Sequence, residues 1–456
     1  MNQNRSSPRE LTSFASIGWA TGELGIAAYV GITMSFMLFY STEALGISPF
    51  WAGIALLIPR LWDAFIDPFV GAISDRTQSR MGRRRPYLLF GALTFGIAFA
   101  LIFRAPADAS ELEKILYVTI LYLITSTAFT FYDVPYSSMA AEMTTEYRER
   151  TRLTGYKMMA ARLGILITIL VAPGIFTTPE GPVVGFARLG MVFGTFMVLT
   201  GIVAFITTKD APQITRKVER VGVKAEYKAL MANQPLKILW YAFLAQNLAI
   251  GATATTLIYY VVFVLKLPPV MVGTFATTGA VAATIATPAW VWISRRYGKR
   301  EAYIGALVGA SLLSLPALFL SPTTAWLLFP ILGLAGMFDA GNQLMPNAMV
   351  ADTIEYDELS TGQRREGAIF GTWAFCRKLG MAGGAFFVSM FLGFFGFQGG
   401  GAPDAQTSEA VSGIRLAYSL VPFTLWGVAL LIIPRYFLTE ERFNAIKAEI
   451  AERSSD

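Results

Sequence analysis

The sequence predicts an all-α membrane protein with twelve transmembrane helices arranged as two six-helix parallel repeats. Three observations carry that expectation. Apolar runs of 18 or more residues recur along the 456-residue chain, each long enough to cross about 30 Å of hydrocarbon at 1.5 Å per residue. Charged residues make up only 15% of the chain and apolar ones 54%, against about 25% charged in soluble domains. The Lys and Arg residues fall on alternate connections between the runs. A mean hydropathy of +0.51 excludes a secreted, disordered or ordinary soluble protein, and a β-barrel would show short alternating strands instead.

The spans follow in order. The first, about 14–40, comes after MNQNRSSPRE, which has no compact apolar core ending at a small-residue cleavage site, so it reads as retained. Spans at 50–74 and 86–105 are divided by the basic turn Gly82 to Pro86. Those at 114–141 and 156–176 precede the break Pro179 to Pro182, after which comes 187–208. In the second half, 236–265 ends at Pro268-Pro269, then 270–293 and 302–320 run to Pro322. The last three are 324–350, 367–395, closed by Gly399-Gly400-Gly401, and 413–437. The domain reading is therefore an N-terminal segment 1–13, a bundle 14–208, a linker 209–234, a second bundle 235–437 and a tail 438–456. The linker carries Lys224, Glu226, Tyr227, Lys228, Leu230 and Met231, a spacing that suits an amphipathic helix on an anionic leaflet. The tail reads as another exposed amphipathic helix.

Twelve spans put both termini on one side. Most of the 37 Lys and Arg residues lie at the termini and on the connections of that side, while Arg104, Lys114, Arg188, Lys266 and Arg415 mark the other. The positive-inside rule then places both termini in the cytoplasm and the protein in the inner (plasma) membrane. It also explains the net charge of +6 without a nucleic-acid partner. Histidine is absent and Cys376 is the one cysteine. That excludes a Ser-His-Asp triad, an imidazole relay, a disulfide framework and a Cys-rich metal site. The chain shows no nucleophile–base pair for an enzyme and no soluble domain for a sensor. No cofactor is expected, and the protein reads as a monomer.

The halves resemble each other. Ser74-Asp75-Arg76 with Gly82-Arg83-Arg84-Arg85 matches Ser294-Arg295-Arg296 with Gly298-Lys299-Arg300. The fourth span carries Asp133 and ends in Met139 to Glu142; the tenth carries Asp339 and ends in Met349 to Asp352. Matching elements in the same orientation are parallel repeats, the arrangement of the major facilitator architecture.

Charges inside the spans are the informative residues. By helix rise from the nearest flanking charge, Asp63 and Lys378 lie about 18 Å deep, Asp67 about 12 Å and Asp133 about 13 Å. Glu23 lies about 21 Å deep, Arg162 about 15 Å and Asp339 about 20 Å. All sit near the midplane of the hydrocarbon, about 15 Å in. Each costs roughly 3 kcal/mol to insert, so each needs a basic partner, a proton, a cation or a polar substrate. Asp63 and Asp67 share a helix face with Arg60, which offers Asp63 an ion pair. Asp67 and Asp133 are left without a basic partner in the same half. Clustered with Thr130, Asp63, Asp67 and Asp133 form a cation site for H⁺ or an alkali ion. Arg377 and Lys378 point in different directions; one is expected to pair with Asp339 and the other to face the acidic cluster. Tyr29, Tyr132, Tyr136 and Trp373 are candidate stacking residues, and Gly380 to Ala385 reads as a close-packing stretch.

Arg60-Leu61-Trp62-Asp63-Ala64-Phe65-Ile66-Asp67-Pro68, with Gly71, Asp75-Arg76-Thr77 and Gly82 to Tyr87, resembles the second-helix signature of the glycoside–pentoside–hexuronide:cation symporters. Tyr132-Asp133-Val134-Pro135-Tyr136 is similar to their fourth-helix motif. Ala351-Asp352-Thr353-Ile354-Glu355-Tyr356, Thr361-Gly362 and Arg365-Glu366-Gly367 are similar to their loop before helix eleven. The resemblance runs from about Gly18 to Arg435. It implies that Asp63, Asp67, Asp133 and Thr130 bind the coupling ion, Na⁺ or H⁺. It implies that Glu23 and Asp133 bind a glycoside, and Lys378, matching the family's helix-eleven lysine, is a further candidate substrate contact; Asp75, Arg76, Arg83, Arg84 and Arg85 are expected to latch the cytoplasmic side during alternating access. The family's helix-five arginine falls at Met158, with Arg162 one turn on as a substitute; its helix-four tryptophan is Ser137, and Ile66 replaces an Asn that sodium users carry. These departures keep open a second reading, cation-coupled transport of an amphiphile such as a lysolipid.

Overall fold

The computed structural model describes residues 12–106, 108–144, 146–212, 232–362, 365–401 and 403–455, and these contain helices and no strand. Helices α1 (Ser13–Ser35), α2 (Pro49–Arg76), α3 (Arg85–Ile102), α4 (Glu111–Met143), α5 (Tyr147–Phe176) and α6 (Pro182–Thr207) precede the linker. Helices α7 (Gln234–Tyr259), α8 (Met271–Tyr297), α9 (Lys299–Ser314), α10 (Leu328–Thr361), α11 (Glu366–Phe394), α12 (Ser408–Ile432) and α13 (Glu440–Ser455) follow it. Eleven of these are long and apolar enough to cross a bilayer. The twelfth span is α1 joined to Met37–Ala44 through a 52° bend. The expected linker helix over Lys224 to Met231 lies outside the described residues.

The chain divides into two compact units, Met1–Val218 with Gln398–Gly401 and Glu219–Phe397 with Ala402–Asp456. In the first, α1 packs on α5 and α6, α2 on α4, and α3 on α4 and α6. In the second, α7 packs on α11 and α12, α8 on α10, and α9 on α10 and α12. The pairing scheme is the same in both, as parallel repeats require. Small residues let the paired helices approach: an added Cβ at Gly384 of α11 would stand 2.1 Å from the Leu248 carbonyl oxygen of α7. The stretch Gly380 to Ala385 does pack closely.

Irregular details repeat as well. α1 and α7 both run into π-helical turns, Tyr40–Ala44 and Tyr260–Val264. The Tyr40 hydroxyl donates to the Ile102 carbonyl at the end of α3 (3.0 Å), and the Tyr260 hydroxyl to the Ala317 carbonyl just beyond α9 (2.6 Å). Gly46 and Lys266 then turn the chain at φ +68° and +54°. The turns before α3 and α9 hold Gly82 and Gly298, both at φ +92°, a conformation that favours glycine.

The tail is not an exposed helix. Its stripe Phe443, Ile446 and Ile450 recurs at helical spacing, α13 packs on α10, and Ile446 and Leu438 are buried in the second unit's apolar core. Lys299 lies 6.0 Å from the Phe443 ring. Amphipathicity alone does not tell a protein surface from a lipid surface. Ile446→Asp would bury a charge in that contact at a cost of about 2 kcal/mol or more. The expected result is fast hydrogen exchange confined to residues 440–455, with the spans unchanged.

Candidate functional site

In the first unit, α2 and α4 meet along a polar seam. Ser126 Oγ donates to the Pro59 carbonyl (3.1 Å), Trp62 Nε1 to Thr127 Oγ1 (2.9 Å), and Thr130 Oγ1 to Asp63 Oδ1 (2.7 Å). Helical spacing puts these residues in register along facing stripes. Asp63 is half-buried, as is Asp67, one turn further along the same face.

Three further charges occupy one level. Glu23, Asp133 and Lys157 each lie ten residues, about 15 Å by helix rise, from the α1 start at Ser13, the α4 end at Met143 and the α5 start at Tyr147. They form a chain. Lys157 Nζ stands 3.5 Å from Glu23 Oε2 and donates to Ser137 Oγ at 2.8 Å. Ser137 Oγ in turn donates to Asp133 Oδ1 at 3.2 Å. The ammonium lies 5.2 Å from the Tyr136 ring centroid, and Tyr136 stacks on Trp19 at 4.9 Å. One cation thus serves two carboxylates of other helices, one directly and one through a hydroxyl. The array presents acceptors and a donor together at membrane depth.

Several expectations change. Asp133 does have a basic residue of its own half within reach, Lys157 through Ser137. Asp63, Asp67 and Asp133 do not form a three-carboxylate metal site; no group of three such ligands occurs among the described residues. Asp63 accepts from Thr130 and Asp133 from Ser137. Arg60 does not pair with Asp63. Its guanidinium donates to the Thr33 carbonyl and to Tyr122 Oη (3.2 Å). Thr33 is among the last four carbonyls of α1, which lack intrahelical partners. Arg377 is exposed and makes no ion pair among the described residues, and Asp339 is half-buried, so the expected Arg377–Asp339 pair is not formed. Adjacent residues point about 100° apart on a helix, and that separation turns Arg377 outward while Lys378 is half-buried.

Among the other candidates, Arg162 is exposed and makes no hydrogen bond among the described residues. Tyr29 is packed among Phe95, Phe99, Tyr122 and Phe129. Trp373 stacks on Phe243 at 3.8 Å and donates to Asn347 Oδ1 at 2.9 Å. Both are core residues, and the ligand contact expected of them is not what their surroundings provide. Tyr136 is buried beside the Lys157 chain.

Three of the five latch residues form a cluster. Arg84 pairs with Asp75 and, through Nε at 3.0 Å, with Glu142, which also holds Arg83. Arg85 binds the Phe205 carbonyl in the last turn of α6 (2.9 Å), and Arg76 is exposed. In the second unit Lys299 binds both oxygens of Asp352 (2.7 and 2.6 Å). Arg365 there makes a bidentate pair with buried Asp357 (2.9 and 2.6 Å). Arg84→Ala takes the guanidinium away from Asp75 and leaves Glu142 with Arg83 alone. The expected cost is about 3 kcal/mol, read as a lower Tm of the purified protein; an unchanged Tm would show the cluster to be dispensable.

Lys157 and Ser137 are the residues that sequence reasoning missed. The apolar run put the start of the fifth span at 156, which left Lys157 at its edge. The helix starts at Tyr147, and the longer helix carries Lys157 to the level of Glu23. A lysine five residues past Arg152, set five residues before Arg162 and the apolar run Leu163 to Phe176, was the available signal.

Twelve spans in two units of the same helix pairing, with a polar array at membrane depth in the first, define a multi-pass membrane transport protein. Solved structures agree on the fold. A bacterial homologue of the human lysosomal transporter Spinster matches with a TM-score of 0.69 and 12% identity, over 96% of this chain and 99% of that one. The nucleoside transporter NupG matches at 0.65 and 10% identity, over 93% and 100%. The family model described as MFS/sugar transport protein matches residues 15–440, and the chain belongs to that family. The glucuronide carrier protein homolog of Escherichia coli is 30% identical over 96% of this chain and 95% of its own length. The uncharacterized symporter YnaJ of Bacillus subtilis is 30% identical over 98% and 96%. The isoprimeverose transporter of Lactiplantibacillus pentosus is 24% identical over 89% and 84%.

Proposed function

We propose that the protein is a cation-coupled symporter of a sugar or glycoside in the inner membrane, working by alternating access with both termini cytoplasmic. The observation that carries the reading is the chain Glu23–Lys157–Ser137–Asp133, which reaches α4 one turn from the Asp63–Thr130 bond. The relatives named for glucuronide and isoprimeverose support a glycosidic substrate. Glu23, Asp133 and Lys157 bind sugar hydroxyls, with Lys378 a further substrate contact. Asp63 and Thr130, with Asp67 on the same face, take the coupling ion, H⁺ or Na⁺. Thr130 and Asp133 stand three residues apart on α4, so filling the ion site moves or stiffens the turn that carries the sugar ligand. The two affinities then rise together, each by the same factor.

The test is uptake by the full chain in proteoliposomes, with a panel of glycosides, glucuronides and pentosides under imposed sodium or pH gradients. Gradient-driven accumulation of at least one sugar is expected. Accumulation of a lysolipid in place of every sugar would overturn the sugar reading, and no accumulation under either gradient would overturn coupling.

A further inference from the structure

The middle of α10 carries a carboxyl group that the site above does not use. Asp339 lies 11 residues from the α10 start at Leu328 and 13 from Asp352, about 16 and 20 Å by helix rise. It is half-buried, and Gln343 stands one turn along the same face. It forms no ion pair among the described residues. The charged groups on the elements packed against α10 lie elsewhere. Lys237 is in the first turn of α7. Arg295 and Arg296 are in the last turn of α8, and Lys299, Arg300 and Glu301 are in the first turn of α9. Lys299 is held by Asp352, and Arg300 by Glu301 and the Tyr436 carbonyl. The Tyr303 hydroxyl of α9 donates to Gln246 of α7. On α11, Glu366 opens the helix, Arg377 is exposed, and neither Arg377 nor Lys378 pairs with Asp339. The charges of α13 stand beyond Asp352.

A second feature points the same way. Asp339, Gln343 and Asn347 recur at i, i+4 and i+8, on one face of α10. The amides of Gln343 and Asn347 are exposed. Asn347 Nδ2 donates to the Gln343 carbonyl at 2.7 Å, and its Oδ1 accepts from Trp373. Exposed amides are costly against hydrocarbon, so this face meets water. It forms a polar stripe from Asp339 toward the end of α10 that carries Asp352. An ionised carboxylate without a counter-ion costs roughly 3 kcal/mol at this depth, and a proton arriving along the stripe removes that cost.

We propose that Asp339 is a proton-binding site of the second unit, loaded and unloaded along the Gln343–Asn347 face of α10 and separate from the Asp63–Thr130 site. The experiment is infrared difference spectroscopy of the purified full chain during pH titration. A protonated-carboxyl C=O band that changes with pH is expected, lost in Asp339→Asn and kept in Asp63→Asn. The same band in Asp339→Asn as in the parent overturns the proposal. A second measurement needs no variant: a hydrophobic carbodiimide, which reacts with protonated carboxyls, should label the Asp339 peptide more slowly as pH rises. An unlabelled Asp339 peptide, or a pH-independent rate, also overturns it. Neither readout requires transport, so each stands whether or not the sugar reading does.

Discussion

Lys157→Ala is expected to reduce sugar uptake at least about 100-fold while the protein still inserts in the membrane. The lysine is the cation between two carboxylates that belong to other helices. Removing one partner of a partly buried pair costs about 3–5 kcal/mol, because the other charge stays behind without compensation; about 2.8 kcal/mol is a factor of 100. Lys157→Arg keeps the charge on a longer, planar head and should recover part of the activity. Glu23→Gln combined with Lys157→Met removes both charges, so the double variant should be more stable than Lys157→Ala although it does not transport. Measured uptake and Tm of the four proteins separate the two effects. Uptake within threefold of the parent in Lys157→Ala would remove the lysine from the substrate site.

Asp63→Asn should abolish gradient-driven accumulation and leave substrate exchange across the membrane. The amide oxygen still accepts from Thr130 Oγ1, so the seam between α2 and α4 keeps its geometry while the charge that attracts a cation is lost. Thr130→Ala keeps the charge and removes one hydrogen bond to it, worth about 1.5–3 kcal/mol. Its half-saturating sodium concentration should rise about tenfold or more, because the hydroxyl no longer serves as an ion ligand, whereas its half-saturating proton concentration should fall, because a carboxylate that loses a donor takes up a proton more readily; maximal uptake is preserved in either case. Uptake measured against sodium concentration and pH, alongside counterflow in the absence of a gradient, tests both. Asp63→Asn that still concentrates sugar would place coupling elsewhere.

The architecture was readable because hydrocarbon thickness imposes a length on every span and because basic turns repeat between the halves. The pairing of Gly82 with Gly298 follows from the sequence match and returns as a shared backbone angle. The acidic candidates were readable for a related reason: a carboxylate in an apolar run stands out at once. Their partners were not. Whether Arg60 serves Asp63 or the end of α1 depends on a bend at Phe36, and apolar composition does not report bends. Helix ends posed the same difficulty. Polar turns of α5 continue beyond the apolar run, so a hydropathy boundary understates the helix and misplaces Lys157. Tyr29 and Trp373 show a third limit, since an aromatic that packs and one that meets a ligand have the same signature in a chain this rich in rings.

The π-helical turns at Tyr40–Ala44 and Tyr260–Val264 carry a history. A widened turn is an unfavourable irregularity, and independent origin at matching places, each with a tyrosine reaching a carbonyl at or just beyond the end of its unit's third helix, would be a coincidence. The simpler account is inheritance: a six-helix ancestor already held this widened turn when its gene doubled, and both daughters have kept it.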